Sequence, residues 1–350
     1  MNAGIRERSR AVPKPEPANM ANYSRRRRAA PEVRASEPAE TEERIPDSKL
    51  QIPETGKSAT RNPQSTIAER FVMCPPTYLS TRIPNNVFME RGGDQFHGGT
   101  KEIDRGRAMT QYARIVRLLK ALDVSVLEIP PVPEAQDQTY TANVAVALEP
   151  YIVLANYKAP GRDVEEEPAR QFFESLGYEV IQPPSKFEGE ADFKKWKTGT
   201  YFGGFGKFTD AETLDWIEEQ TGVEVIPIRE VSDELYHLDC SLFVIDEENF
   251  LVNRAGMDGA SFKQLDKLGN IVEVPKELNA TGITNAVKAP GNKKILISGM
   301  FHPEDKKYQR SMEWINETFD KFEYTVLFVD IDEPDKSGAD VSCMVMKLDF

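Results

Sequence analysis

A unit of two strands, one helix and a third strand recurs along this chain, and the recurrence restricts the folds that are open to it. The clearest copy is predicted as strands at 141–148 and 151–156, a helix at 165–176 and a strand at 178–181. Successive copies lie roughly 50 to 65 residues apart and share little sequence identity, so the repeat is structural. When such a repeat closes into a ring, its sheet edges are hidden and its strand ends and loops converge on one axis. The pattern therefore favours an α/β fold with a site on that axis.

Hydrophobic periodicity predicts the other elements of the repeat. Apolar residues at helical spacing predict a helix at 104–122, between strands at 71–74 and 124–129. The later predicted elements are strands at 201–205, 223–227, 242–245, 250–253, 271–274, 295–298 and 324–328, and helices at 211–221, 261–268 and 303–322. A last strand is predicted at 341–348, directly after a Ser-Gly-Ala turn.

The first part of the chain differs in composition from the rest. Residues 1–66 are rich in Pro, Arg and Glu and are predicted to be a disordered tail, whereas residues 67–350 are predicted to form the ordered domain. Four consecutive arginines at 25–28 leave three interpretations open: a nuclear-import patch, an anion-binding patch, or a solvated stretch of the tail. The apolar region of a secretory signal is not found, while an Arg-rich transit peptide stays open.

The charge and the cysteine content limit the partners and the compartment. The net charge is −13, with +6 on residues 1–34 and therefore −19 on the other 316 residues, which argues against nucleic acid as the main partner. No apolar run approaches the ~20 residues that span a bilayer, so no membrane partner is expected. Three cysteines, an odd number, favour a reducing compartment, and we expect the cytoplasm. Cys74 and Cys240 are interpreted as packing residues, and a homo-oligomer is left open.

A thiol and an imidazole are the first candidates for chemistry. Cys343 follows the turn at 337–339, near the start of a predicted strand, where a thiol can face a cleft on a rigid support. The alternative is a buried cysteine that only packs. His237 and Asp239 are two residues apart, so on a strand they share one face, which points either into a cleft or to solvent.

Acidic and amide side chains are the second set of candidates. The segment 187–193 holds three acids around a Gly turn between two phenylalanines, a pattern typical of carboxylates that bind a cation, although acids on a loop are often only solvated. Asn143 stands in a predicted apolar strand and needs partners if it is buried, unless it is a turn residue. His97 and His302 show no metal-ligand spacing, so a metal site is a minor alternative.

The order of these motifs resembles a known superfamily. The chain contains Cys-Pro-Pro at 74–76, Asn-Asn at 85–86, Thr-Ala-Asn at 141–143, Phe-Glu-Gly at 187–189, His-Leu-Asp at 237–239, and a terminal Gly-x-x-x-x-Cys. In this it is similar to the guanidino-group-modifying enzymes: arginine deiminases, dimethylarginine dimethylaminohydrolases and amidinotransferases. The likeness is greatest to the arginine dihydrolases of the cyanobacterial arginine–ornithine pathway. The resemblance covers about residues 70–350 and implies a pentein fold, a five-bladed pseudo-symmetric α/β propeller of ββαβ repeats.

The resemblance implies a role for each catalytic candidate. Cys343 matches the family's nucleophile, His237 the general acid and base, and Glu188 the first acid of the Glu-Gly motif, which supports the histidine or the substrate. Asp239 matches the acid that holds the guanidinium.

Three further positions are implied to bind substrate. Asn143 matches a position where deiminases and dimethylaminohydrolases usually have Asp and dihydrolases have Asn. Asn86 matches an asparagine of the dihydrolases' Asn-Pro-Trp-Met segment, and Arg162 an arginine that faces the substrate carboxylate. Two departures stand where the amino-acid end of the substrate would bind, because residues 86–89 read Asn-Val-Phe-Met and the family's Gly-aromatic-Gly-Phe-Arg segment has Lys207 and no arginine.

The function implied is a cysteine-dependent hydrolase of a guanidino compound. The first expectation is conversion of arginine to ornithine, ammonia and carbon dioxide, with no metal or organic cofactor. The alternatives are a dimethylarginine dimethylaminohydrolase or arginine deiminase that releases citrulline, an amidinotransferase, and a non-catalytic propeller that serves as a binding module.

Overall fold

In the part of the chain that the structure describes, fifteen strands form five sheets of three strands each. The structure is a computed structural model that describes residues 69–90, 102–278, 282–291, 293–299 and 305–348. The predicted tail at 1–66 lies outside the described residues, as do His97 and His302. The strands are β1 (Arg70–Met73), β2 (Ser125–Glu128), β3 (Ala145–Leu148), β4 (Tyr151–Leu154), β5 (Glu179–Ile181), β6 (Phe193–Lys197), β7 (Thr200–Phe205), β8 (Glu224–Arg229), β9 (Leu242–Val244), β10 (Asn249–Val252), β11 (Asn270–Glu273), β12 (Ala286–Lys288), β13 (Ile295–Ser298), β14 (Thr325–Phe328) and β15 (Met346–Lys347).

Each sheet has a middle strand that pairs antiparallel with one neighbour and parallel with the other. The orders are β3-β4-β5, β6-β7-β8, β9-β10-β11, β12-β13-β14 and β15-β1-β2. In the last of these the strand nearest the C-terminus occupies the place that the first strand of a unit has elsewhere, because Phe71 pairs with Lys347 and Val72 with Met346. The two ends of the described chain therefore complete one sheet.

A helix connects the middle strand of each sheet to the parallel strand beside it. The described helices are α1 (Val87–Glu90), α2 (Arg105–Ala121), α3 (Glu166–Ser175), α4 (Ala211–Thr221), α5 (Gly259–Leu268), α6 (Lys306–Asp320) and α7 (Asp332–Asp335). The start of α2 is fixed by Asp104, whose carboxylate accepts from the Arg107 amide. None of the described helices is long and apolar enough to cross a membrane.

Five buried apolar clusters join the sheets in cyclic order. Val72 and Leu154 share a cluster between the β1 and β4 sheets, and Val153 with Tyr201 joins the β4 sheet to the β7 sheet. Corresponding clusters join the β7 sheet to the β10 sheet and the β10 sheet to the β13 sheet. The fifth cluster contains Phe71 and Ile297, so the β13 sheet packs against the β1 sheet.

The predicted repeat of strand, strand, helix and strand is present, and three details of the prediction are wrong. Residues Thr141–Asn143 and Val341–Met344 form 3₁₀ turns where strands were predicted, so the strands begin later, at Ala145 and Met346. The predicted strand around His237 is a 3₁₀ turn at Leu238–Cys240. Short strands β6 and β12 were missed. The mixed α/β class was predicted correctly.

Candidate active site

The chemically functional side chains come from one repeated position in the fold. The segment just before the first strand of each sheet carries a polar or reactive side chain, and in four of the five sheets this segment is a 3₁₀ turn. These side chains are Asn143, Asp192, Asp239, Asn285 and Cys343. Since short turns end where buried strands begin, the five side chains are held on rigid supports and all are buried.

Cys343 is held by an amide and a carboxylate. Asn285 Nδ2 donates to the Sγ atom at 3.3 Å, and the thiol donates to Asp239 Oδ2 at 3.8 Å. The same Asp239 oxygen accepts from Ser342 Oγ at 2.7 Å, and Asn285 Oδ1 accepts from the Ser342 amide at 2.9 Å. Burial raises the pKa of the Cys343 thiol, and the nearby Asp239 charge raises it further. Without a bound cation, the thiol therefore keeps its proton.

His237 lies between two carboxylates. Its Nδ1 atom is 2.9 Å from Asp192 Oδ1, and its Nε2 atom is 3.2 Å from Glu188 Oε2. Asp192 also accepts from the Leu238 amide at 3.1 Å and from Thr209 Oγ1 at 2.6 Å, which fixes its orientation. Burial alone would lower the pKa of His237, but Asp192 and Glu188 together raise it well above its usual value. The imidazole is therefore held as a proton-carrying cation.

Glu188 connects the histidine to Asn143. Asn143 Nδ2 lies 3.3 Å from Glu188 Oε2 and 3.1 Å from His237 Nε2. The contact depends on Gly189, which has φ +60°, because a Cβ there would come within 2.6 Å of the Ala142 carbonyl oxygen. The second Glu188 oxygen, Oε1, is buried and has no hydrogen-bond partner among the described residues.

The polar groups of Arg162 and Asn86 make hydrogen bonds within the protein. Arg162 donates from Nε and Nη2 to Glu165 at 3.0 Å each, and its Nη1 atom is 3.7 Å from Glu188 Oε2. Asn86 caps α1, since its Oδ1 atom accepts from two amides of that helix, and its Nδ2 atom donates to the Ser337 carbonyl at 2.9 Å. Their predicted contacts with substrate stay predictions.

One cavity brings these groups together. Cys343, His237, Glu188, Asn143, Arg162 and Asn86 all line it, together with Asp137, whose Oδ1 atom is buried without a partner among the described residues. The Phe208 ring packs on His237, with ring centroids 5.2 Å apart. The free volume is about 30 Å³, enough for a very few water molecules and far below that of a small-molecule site. A larger ligand therefore enters only when lining side chains move apart.

One sequence interpretation needs correction at this site. His237 and Asp239 are not on one strand face: His237 precedes the 3₁₀ turn and lines the cavity, while Asp239 lies in the turn behind Cys343. Lys207, which stands in the segment where the family has an arginine, does not line the cavity; its Nζ atom is 3.4 Å from Asp233 Oδ1 at the surface.

Sequence reasoning missed four buried polar residues. Asp192 was seen among three acids but not recognised as the partner of His237, and Asp137 was not considered. Asn285 directly follows Thr284 and precedes the short strand β12, so it stands before a first strand as Asn143 stands before β3, although the spacing of the Thr-Ala-Asn motif is not repeated. Glu230 has two buried oxygens without a hydrogen-bond partner among the described residues; burial and the Asp192 charge raise its pKa well above the usual range.

No group of three or more His, Cys, Asp and Glu side chains in the described ranges is arranged to hold a metal ion.

Comparison with known protein families gives one match over most of the chain. Residues 80–349 match the model of the family described as N,N dimethylarginine dimethylhydrolase, eukaryotic. Among individual proteins, the chain is 28% identical over 173 residues to a bifunctional arginine dihydrolase/ornithine cyclodeaminase of a Nostoc species. The match covers 49% of this chain and 24% of that protein, so the chain spans about a quarter of that relative's length. It is also 25% identical over 222 residues to the N(G),N(G)-dimethylarginine dimethylaminohydrolase of Mycobacterium tuberculosis, covering 63% of this chain and 70% of that protein.

Solved structures of two kinds share the fold. The N-terminal domain of a cyanobacterial arginine dihydrolase, bound to its substrate, superposes with a TM-score of 0.71 at 20% identity, covering 80% of this chain and 98% of that one. A dimethylarginine dimethylaminohydrolase of Pseudomonas aeruginosa in complex with citrulline superposes with a TM-score of 0.61 at 21% identity, again covering 80% and 98%. At this level of identity the likeness establishes a common fold.

Proposed function

We propose, from the premise that this chain belongs to the eukaryotic N,N dimethylarginine dimethylhydrolase family, that it is a cysteine-dependent hydrolase of a guanidino compound. One observation carries the proposal. A buried thiol, a cationic histidine and two carboxylates with unpartnered oxygens, Glu188 Oε1 and Asp137 Oδ1, line a single cavity. A carboxylate oxygen without a donor is costly inside a protein, and a guanidinium or ammonium group would supply the missing donors.

The bound cation also activates the nucleophile. A guanidinium keeps its charge because its pKa lies above ~12, and it brings that charge next to a thiol whose pKa is raised by burial and by Asp239. A positive charge beside the thiol favours the thiolate, so Cys343 becomes a strong nucleophile only when substrate is present.

The reaction then proceeds through a covalent amidino-thioether. The Cys343 thiolate adds to the guanidinium carbon, and the carbon–nitrogen bond to the leaving amine breaks as His237 donates a proton to that amine. Water next adds to the same carbon, with His237 taking its proton, and the carbon–sulfur bond breaks to return the thiolate and release a ureido product. Each turnover consumes one water and releases one amine, so the atoms balance.

Two substrates fit this scheme. Arginine is favoured by Asn143, because an amide can donate to the neutral ureido oxygen of citrulline, where a carboxylate would repel it. A second round on bound citrulline then gives ornithine, carbon dioxide and a second ammonia. Dimethylarginine is the second candidate, which the family match favours; its leaving group is dimethylamine and its product is citrulline.

Product analysis tests the proposal. The purified chain is incubated with arginine or dimethylarginine labelled with carbon-13 in the guanidino carbon, and the products are identified by mass spectrometry. Ornithine with labelled carbon dioxide would indicate a dihydrolase, citrulline from arginine a deiminase, and dimethylamine a dimethylaminohydrolase. Absence of turnover of both substrates, and of a wider panel of substituted guanidines, would overturn the proposal.

Two cysteine variants serve as a matched pair of controls. Cys343→Ser should lose turnover by several orders of magnitude, because an alkoxide is not available near neutral pH. Cys74→Ala removes a buried thiol that packs in the core away from the cavity, and should keep turnover. Equal losses in the two variants would contradict the role of Cys343.

Asn143→Asp tests the preference for arginine dihydrolysis. The new carboxylate would stand 3.3 Å or so from Glu188 Oε2, in place of a donor, and would disfavour retention of citrulline. The product ratio should therefore shift from ornithine towards citrulline. An unchanged ornithine yield would refute this role of Asn143.

We further propose that residues 67–350 form the catalytic domain and that its five sheets close into a five-bladed propeller. The cyclic order of the five apolar clusters supports closure, because the β13 sheet packs against the β1 sheet. A truncated chain that begins at residue 67 should keep full activity.

A cytoplasmic location is proposed from the three unpaired thiols, Cys74, Cys240 and Cys343, and cell fractionation would test it.

A further inference from the structure

A second cavity, of about 420 Å³, lies beyond Asp239 and Ser342. Both residues line it, whereas Cys343 lines the candidate active site. Its volume is in the range of small-molecule sites, and more than ten times that of the first cavity. We call it the lysine cavity, because five lysines line it: Lys194, Lys195, Lys288, Lys294 and Lys347.

The lysines converge from different sheets. Lys194 is on β6, Lys288 on β12 and Lys347 on β15, and each of these is the first strand of its sheet. Their proximity affects their pKa values. Burial, and then the charge of Lys347, lowers the pKa of Lys288 to about 8. Burial also lowers the pKa of Lys347, and Lys194 adds to this, although Glu190 opposes it. The ammonium groups therefore repel one another in a partly desolvated space.

Carboxylates do not neutralise these ammonium groups directly. In the described part of the chain, no carboxylate oxygen lies within 4.0 Å of the Nζ atoms of Lys194, Lys288, Lys294 or Lys347. Lys288 instead donates to the Ile245 carbonyl at 3.4 Å, and Lys294 lies over the Tyr324 ring, 4.8 Å from its centroid.

The acids that line the cavity are engaged elsewhere or lie at its rim. Glu190 accepts from the Lys347 amide at 2.7 Å, Asp239 from Ser342 Oγ at 2.7 Å, and Asp246 from Asn249 Nδ2 at 2.7 Å. Glu69 accepts from the Gly291 amide at 3.1 Å, and Glu247 is exposed. These five acids balance the formal charge of the five lysines, but none of them lies within 4.0 Å of the Nζ atoms of Lys194, Lys288, Lys294 or Lys347.

We propose that the lysine cavity is a second ligand site, which binds a small anion with several negative charges. Such an anion would form charge-assisted hydrogen bonds with the converging ammonium groups and relieve their repulsion. Lysine is a flexible point-charge donor, so both phosphate and carboxylate groups fit this chemistry. Trp196 and Tyr324 line the same cavity and form an aromatic wall beside the lysines.

Isothermal titration calorimetry on the full chain tests the proposal, at constant ionic strength. The probes are inorganic pyrophosphate, citrate and ADP. Saturable binding of pyrophosphate or citrate is expected, and the stronger of the two identifies the charged group. If ADP binds more tightly than pyrophosphate, the planar base of ADP contacts the aromatic wall. If the two bind equally, the cavity recognises only the charged groups. Absence of saturable binding of all three probes would overturn the proposal.

Lysine-to-methionine variants locate the site. Lys288→Met and Lys347→Met keep the aliphatic stem, and each should weaken binding by about tenfold or more, because each removes one charge-assisted contact. Lys263→Met, at an exposed position on α5, is the matched control and should bind as the wild type does. Lys194→Met is the reserve if either buried variant does not fold.

Thermal unfolding separates a ligand site from a structural role. Pyrophosphate should raise the melting temperature of the wild type and of Lys263→Met by more than that of Lys288→Met. The ligand-free Lys288→Met protein should be at least as stable as the wild type, because it no longer holds a half-buried ammonium that has no ion-pair partner among the described residues. If all variants respond equally to pyrophosphate, the anion binds elsewhere and the proposal is wrong.

Discussion

Replacement of Asp192 by Asn tests how the fold sets the protonation of His237. Asp192 is fully buried and accepts three hydrogen bonds, from His237 Nδ1 at 2.9 Å, the Leu238 amide at 3.1 Å and Thr209 Oγ1 at 2.6 Å. The neutral amide keeps the shape but loses the charge that raises the pKa of His237. The imidazole should then lose its proton at a lower pH, so a smaller fraction of His237 is protonated and able to donate to the leaving amine.

The magnitude follows from the contact that is lost. A hydrogen bond between charged groups stabilises by about 1.5–3 kcal/mol, and about 1.4 kcal/mol corresponds to a factor of ten in rate. Asp192→Asn should therefore lower kcat roughly 10- to 150-fold on whichever guanidino substrate the chain accepts. The high-pH limb of the kcat profile, which reports loss of the acid, should move to lower pH.

The assay compares full pH profiles of the wild type, Asp192→Asn and Asp215→Asn. Asp215 is an exposed acid on α4 and serves as the matched control. A structural defect would lower kcat at every pH without moving the limb, so melting temperatures are measured beside the rates. If Asp192→Asn loses less than twofold in kcat and its profile does not move, the argument that Asp192 holds the proton on His237 is refuted.

Three further changes test the supports of the site. Burial raises the pKa of Asp340 to about 8. The stability that its protonated form contributes is therefore present below about pH 4 and is lost as the pH rises to about 8. Urea unfolding should show that the free energy of unfolding of the wild type falls by up to about 4 kcal/mol between pH 5 and 8, and that Asp340→Asn lacks this fall. Gly189→Ala should lower the free energy of unfolding by roughly 2–4 kcal/mol, because its Cβ meets backbone atoms at 2.6–2.8 Å in a left-handed conformation, and a loss below 0.5 kcal/mol would contradict this. Asn285→Ala removes the donor 3.3 Å from Cys343 Sγ and should slow alkylation of that thiol by iodoacetamide about tenfold, whereas an unchanged rate would show that the contact does not stabilise the thiolate.

The repeat could be predicted from the sequence because its helices and strands have local signals, and Cys343 and His237 could be proposed as site residues from the motifs around them. Helix α2 has apolar residues at helical spacing, and most strands are short apolar runs between turn residues. The 3₁₀ turns gave no such signal. Residues 341–348 are buried almost without interruption, so their apolar run resembles a strand even where the backbone turns tightly. Burial on all sides removes the polar alternation that would have revealed the turn.

The choice among the acids required tertiary information. Glu188, Glu190 and Asp192 lie within five residues, yet one faces the cavity, one accepts from the Lys347 amide and one holds His237. The turn that separates them depends on the positive φ of Gly189 and on the packing of residues 142–145, which are distant in the sequence. A local pattern therefore identifies the group of acids but not the role of each.

Strand β6 was missed because its sequence also lacks a local strand signal. Its sequence, Phe-Lys-Lys-Trp-Lys, appears too polar for the first strand of a sheet, and this position carries Ala-Val-Ala-Leu in β3. The difference is explained by the lysine cavity, since Lys194, Lys195 and Trp196 all line it. The charged side chains at that cavity therefore hide the apolar pattern by which strands are recognised.

The equivalent positions of the site residues in the repeat also indicate which of them set the product. Cys343 and His237 must keep their identity for the proposed chemistry, but Asn143 and Asn285 occupy equivalent places before the first strands of their sheets, and their amides contact His237 and Cys343. Because an amide and a carboxylate have the same shape, one can replace the other without a change in the backbone. Such an exchange alters the charge that surrounds the substrate carbon. Differences in product among proteins with this fold should therefore follow the residues at these two positions more closely than overall sequence identity.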